Sequence, residues 1–74
     1  MYNGAPIKQI REKSGLTQED FAARIGCKQN TLSQYESGKA APSIKKGLAI
    51  VKIARRYKIT TTLEELMEAI FSKN

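Results

Sequence analysis

TQEDFAARIGCKQNTLSQYESG, residues 17–38, reads as two short helices joined by a tight turn. Thr17 can cap the free N–H groups of the first helix, and Glu19 and Asp20 sit in its first turn, against the positive end of the helix dipole. Phe21, Ala22 and Ile25 form its apolar face, and Gly26 stops it. The spacing predicts the second helix over Gln29–Ser37, with Leu32 and Tyr35 facing inward at i, i+3 and Gly38 closing it. So short a connection leaves no room for an antiparallel return, so the two helices must cross at a large angle. Small Ala22 lets them approach, and Ile25, Leu32 and Tyr35 pin one onto the other.

The outer face of the second helix is left with Gln29, Asn30, Ser33 and Gln34, with Lys28 and Ser37 at its ends. A surface helix in a basic protein normally carries Lys and Glu; this one carries amides and hydroxyls. Gln and Asn present a donor and an acceptor together, which matches adenine N6/N7, and they also donate to guanine. An amide face beside a basic rim has the division of labour that reading DNA requires: cations for phosphates, amides for base edges. Alone, the same face is an ordinary solvated surface.

Outward from the motif, Pro6 suits the first turn of a helix ending at Lys13, with Ile7 and Ile10 on one side and Ser14-Gly15 as its stop. After the loop Lys39-Ala40-Ala41-Pro42, Ser43 caps a fourth helix over 44–57. Its apolar set is Ile44, Leu48, Ile50, Val51, Ile53, Ala54 and Tyr57. Gly47 inside it costs about 1 kcal/mol relative to Ala unless a neighbour packs closely there. Thr62 and Glu65 form a capping box for a fifth helix over 63–72. There Leu63, Leu66, Met67, Ile70 and Phe71 fall at i, i+3, i+4, i+7 and i+8, a full amphipathic stripe. That stripe has two readings: it completes the monomer core, or part of it packs on a second copy. Five helices and no strand make an all-α chain. Residues 1–74 read as one domain, with Met1–Ala5 and Lys73–Asn74 as loose ends.

Composition narrows the function. The net charge is +6. Residues 1–58 hold 12 basic and 4 acidic residues; residues 59–74 hold Lys73 against Glu64, Glu65 and Glu68. The body is thus suited to a polyanion, and the C-terminal segment should face away from it. With a single cysteine, Cys27, and no histidine, an internal disulfide, a His-containing zinc site and a His-based catalytic triad are all excluded. No enzymatic activity, cofactor, metal or small-molecule ligand is expected. No apolar run approaches the length of a membrane span, and the default setting is cytoplasmic. Cys27 reads as a small apolar turn residue and Tyr35 as core. Lys52, Arg55, Arg56 and Lys58 read as the solvated side of helix four, while Lys45 and Lys46 lie nearest the loop that would meet phosphates.

Leu16–Gly38 resembles the helix-turn-helix of the lambdoid phage Cro/repressor (XRE-type) family. The resemblance rests on TQEDFAARIG, QNTLSQYESGK and Pro42-Ser43 after the loop; it is good over residues 7–44 and fades beyond. It implies a five-helix, lambda-repressor-like domain in which Gln29, Asn30 and Gln34, with Ser33 nearby, occupy base-reading positions. Gln18 would contact the DNA backbone or an adjacent recognition residue. Lys28, Ser37, Lys39, the amides of Ala40–Ser43, Lys45 and Lys46 would serve the phosphates. Arg11 and Glu36 would form a partly buried ion pair. Five large apolar residues in one short terminal helix favour the second-copy reading of helix five; such a two-fold homodimer would place its recognition helices about 34 Å apart on a near-palindromic operator, and with the resemblance the chain reads as a small Cro-like repressor from a bacterium or phage. A restriction–modification controller protein and an antitoxin-type module that binds a protein through helix five remain alternatives.

Overall fold

The computed structural model describes residues 1–72. Among these there are five helices and no strand: α1 (Ala5–Lys13), α2 (Gln18–Ile25), α3 (Gln29–Ser37), α4 (Ile44–Arg56) and α5 (Leu63–Phe71). The caps set the boundaries. The Thr17 hydroxyl accepts from the Asp20 N–H at 3.1 Å, and the Ser43 hydroxyl accepts from the Lys46 N–H at 3.3 Å. At α5 the capping box is complete, with the Thr62 hydroxyl accepting from the Glu65 N–H and the Glu65 carboxylate from the Thr62 N–H, both at 3.1 Å.

α1 through α4 all stop in the same way. An N–H just past the helix reaches back to the carbonyl five positions earlier: Leu16 to Arg11, Cys27 to Ala22, Lys39 to Gln34 and Ile59 to Ala54. Each such stop needs one left-handed residue. Gly15, Gly26 and Gly38 supply it at three; at the fourth it is Lys58, with φ +63°.

The core is built by Ile7 and Ile10 of α1, Phe21, Ala22 and Ile25 of α2, Leu32 and Tyr35 of α3, Ile50, Val51, Ile53 and Ala54 of α4, and Leu66 and Ile70 of α5. α1 packs on α3, α4 and α5, α2 on α3 and α4, and α5 on α4. Gly47 marks the closest approach of α4 and α5: a Cβ there would lie 2.9 Å from Leu63 Cδ1 and 3.2 Å from Met67 Sδ. The neighbour that offsets its low helix propensity is therefore α5.

Two expectations need correction. Ile44 and Leu48 were placed on the apolar face of helix four by periodicity but are 64% and 45% exposed, and Tyr57 is exposed at the cap. α4 is wide enough in its apolar arc that the core takes only its middle. The amino-terminal segment is also tied down: the Tyr2 N–H donates to the Gly38 carbonyl at 3.0 Å, the Asn3 N–H to Ile70 at 2.7 Å, and the Tyr2 ring meets Phe71 edge-on at 5.1 Å. Gly4 lies so close to the backbone of Tyr35 and Glu36 that no Cβ fits. Lys73 and Asn74, expected to be loose, lie outside the described residues.

Lys58→Gly should stabilise the domain, because a left-handed L residue costs roughly 1–2 kcal/mol, part of which is returned as glycine's extra unfolded-state entropy. The expected rise in Tm by circular dichroism is a few degrees. An unchanged or lower Tm would show that Lys58 carries no strain.

Candidate nucleic-acid interface

Gly26, with φ +80°, turns the chain from α2 into α3 in three residues. The Lys46 ammonium, half-buried, donates to the Gly26 carbonyl at 2.9 Å and so locks the first turn of α4 onto this corner. α3 is held from within by Leu32, fully buried, and Tyr35. Its other side is open: Gln29, Asn30, Ser33, Gln34 and Ser37 are all exposed, at spacings that put them on one face of the helix. Lys28 is the cap residue before α3 and Lys39 follows Gly38, so exposed cations bracket the amide face at both ends.

The start of α3 carries no side-chain cap and no acidic residue in its first turn, and the first intrahelical bond runs from the Leu32 N–H to the Lys28 carbonyl. The N–H groups of Gln29, Asn30 and Thr31 therefore point forward without a partner in the helix, a geometry that favours an anion. Ser37 donates its hydroxyl to the Gln34 carbonyl at 3.2 Å, so its one proton meets a phosphate only once the hydroxyl turns away from that carbonyl. Lys45 is exposed.

Behind this face lies a charged network. The Arg11 guanidinium grips Glu36 with two bonds, Nε to Oε2 at 2.7 Å and Nη2 to Oε1 at 3.2 Å, and uses Nη1 to hold the Leu16 carbonyl at 3.1 Å. Gln18 Nε2 adds a third bond to Glu36 Oε1 at 3.0 Å. One N–H of the Gln18 amide is thus spent on the network, leaving its second N–H and its oxygen for other partners. The Glu36 side chain is 5% exposed. The hydrogen bond to Glu36 pushes the Arg11 pKa above its ordinary value, against the opposing effect of burial. Burial raises the Cys27 thiol pKa, which nearby Lys46 only partly offsets, and burial likewise raises the Tyr35 phenol pKa. Cys27 is therefore a protonated packing residue at neutral pH.

Of the five helix-five residues offered as an interface, Leu66 and Ile70 are 2% and 1% exposed, enclosed by the chain's own core. Leu63 and Met67 keep part of their surface and Phe71 is half exposed. Sequence reading passed over Arg24, which lines an open cleft between α2 and α4. The signal was present in α4, whose residues 45, 48, 49, 52, 53 and 56 form a second helical stripe.

Residues 7–63 match the Helix-turn-helix family. Over 70 residues the chain is 31% identical to Multiprotein-bridging factor 1 of Debaryomyces hansenii, covering 95% of this chain and 45% of that protein. Over 40 residues it is 45% identical to Endothelial differentiation-related factor 1 of Homo sapiens, 54% of this chain and 27% of that one. Over 47 residues it is 38% identical to an uncharacterised HTH-type transcriptional regulator of Archaeoglobus fulgidus, 64% of this chain and 66% of that one. The chain thus spans less than half of the fungal and human relatives. No solved structure matches it.

Glu36→Gln keeps the shape of the network and removes its negative charge, so it should cost about 1.5–3 kcal/mol in urea unfolding. Arg11→Met/Glu36→Leu, which replaces the pair by apolar groups, should cost markedly less than Glu36→Gln. A double variant no more stable than the single one would mean that the network does more than satisfy its own buried charge.

Proposed function

Because this chain belongs to the XRE-type helix-turn-helix family of DNA-binding transcriptional regulators, we propose that it works as a small Cro-like repressor. α3 lies in the major groove and reads base edges through Gln29, Asn30 and Gln34, with Ser33 beside them. Lys28, Lys39, Lys45 and Lys46, the Ser37 hydroxyl, the second N–H of the Gln18 amide and the uncapped amides of α3 hold the phosphates. Two copies meet through the surface that Leu63, Met67 and Phe71 leave uncovered, and bind a near-palindromic operator in successive major grooves. Occupancy of that operator blocks or recruits polymerase without any chemical step. The observation that carries this reading is the exposed, uncharged amide face of α3 between two cations.

A second reading draws on the alignment with a protein called a multiprotein-bridging factor, which runs across 95% of this chain: the same domain would join other proteins to one another or to DNA.

The test is selection from a randomised duplex pool, followed by salt titration of wild type and Gln29→Ala/Gln34→Ala. The expected result is a palindromic consensus with half-sites about 34 Å apart and a log–log salt slope near −0.9 per phosphate contacted. The double variant should lose sequence preference and keep most of that slope. A pool that yields no consensus, with the variant binding like wild type, would reduce the amide face to a solvated surface. Phe71→Glu/Met67→Glu should weaken operator binding at least about tenfold and shift sedimentation toward monomer; unchanged sedimentation would place the dimer contact elsewhere.

A further inference from the structure

α4 has two opposite sides. Gly47, Ile50, Val51 and Ala54 face the body of the protein. On the other side Lys45, Leu48, Ala49, Lys52, Ile53 and Arg56 run at i, i+3, i+4, i+7, i+8 and i+11. They form one wall of an open cleft of about 740 Å³, whose other wall is the last turn of α2 with Arg24 and Gly26. The DNA reading leaves this cleft unused apart from Lys45 and Lys46 at its end.

Its chemistry is one-sided. Arg24, Lys45, Lys46, Lys52 and Arg56 line it, and no carboxylate does. Its floor is apolar: Ile25 and Ile53 are almost wholly buried at the base, and Leu48 stands 45% exposed above them. Cations alone would suit any anion. An exposed leucine between them suits a partner that brings apolar surface as well, which phosphates do not. The stripe spans 11 residues, roughly 16 Å at about 1.5 Å per residue, or three turns of helix.

We propose that this cleft is a docking groove for an acidic, amphipathic helical segment of another protein. The partner lays apolar side chains, spaced i, i+3/i+4, i+7, over Leu48 and Ala49, as a helix in a groove does. Its Glu and Asp flank that seam and meet Arg24, Lys52 and Arg56, which set orientation and association rate more than affinity. Docking rests on α2 and α4, whatever α3 reads, so it serves a repressor and a bridging factor alike.

The experiment is an amide-resolved NMR titration of the full chain with a synthetic 14-residue helical peptide bearing leucines on one face and glutamates beside them. The control peptide has the same composition, permuted so that its leucines share no face. The expected result is binding of the order of 10–100 µM, with shifts confined to Arg24, Leu48, Ala49 and Lys52. It should fall at least about tenfold in Leu48→Glu/Lys52→Glu, a variant with wild-type helicity and wild-type affinity for the selected duplex. Equal binding of the permuted peptide, or shifts centred on α3, would overturn the proposal by reducing the cleft to a general anion surface. Shifts of the cleft amides with protein concentration alone would overturn it in favour of a second copy, and shifts of the same amides by duplex in favour of phosphates. Loss of preference for the selected duplex in Gln29→Ala/Gln34→Ala, with peptide binding retained, separates this site from the DNA face.

Discussion

The grip of Arg11 on Glu36 is the interaction on which the rest of this structure depends. One guanidinium holds a carboxylate of α3 and the Leu16 carbonyl before α2, and the Gln18 amide of α2 completes the set. Three helices are thereby fixed to one point. A carboxylate so nearly removed from water is tolerable only when its lone pairs are met, and here the donors that meet them come from α1 and α2. Apolar packing of Leu32 and Tyr35 supplies adhesion, but adhesion alone permits rotation of α3 about its axis. Directional bonds to Glu36 narrow that rotation, so the network and the inward Leu32 and Tyr35 together set which face of α3 looks outward.

α4 shows how a single helix can serve a small body. Its core side is narrow and includes Gly47, which lets α5 come close enough for Leu63 and Met67 to touch the α4 backbone region. Burial on that side leaves the cationic, partly apolar side to solvent. The Lys46 bond to the Gly26 carbonyl joins the two halves of the molecule at the corner between α2 and α3, so the basic cleft and the amide face share a rigid edge.

Much of this was legible in the sequence because local chemistry and tertiary packing agree there. Thr17, Ser43 and Thr62 cap because their hydroxyls reach the N–H three residues on, a purely local event. Gly26 and Gly38 stop helices because they alone adopt φ > 0 without cost. The amide face of α3 was legible for the complementary reason: once Leu32 and Tyr35 point inward, helical geometry leaves Gln29, Asn30, Ser33 and Gln34 outside. Periodicity failed where it counts hydrophobic residues without knowing how wide the neighbouring surface is. Ile44 and Leu48 satisfy the pattern, but no helix packs closely enough to bury them: Leu48 stands in the open cleft facing α2. The order of residues 1–4 was illegible because it depends on partners 36 and 67 positions away, the carbonyls of Gly38 and Ile70. Lys58 hid the stop of α4 by occupying a place that sequence rules give to glycine.

The bond from Asn3 to Ile70 has a topological meaning. It places the entrance of α1 beside the exit of α5, so the backbone of the folded body closes almost into a ring. In a ring the position of the cut is a matter of chain order, not of packing. A circular permutant joined across that seam and opened at the exposed Thr60 would run α5, α1, α2, α3, α4. It would keep every helix pair of the present fold and leave the corner between α2 and α3 in the middle of the chain.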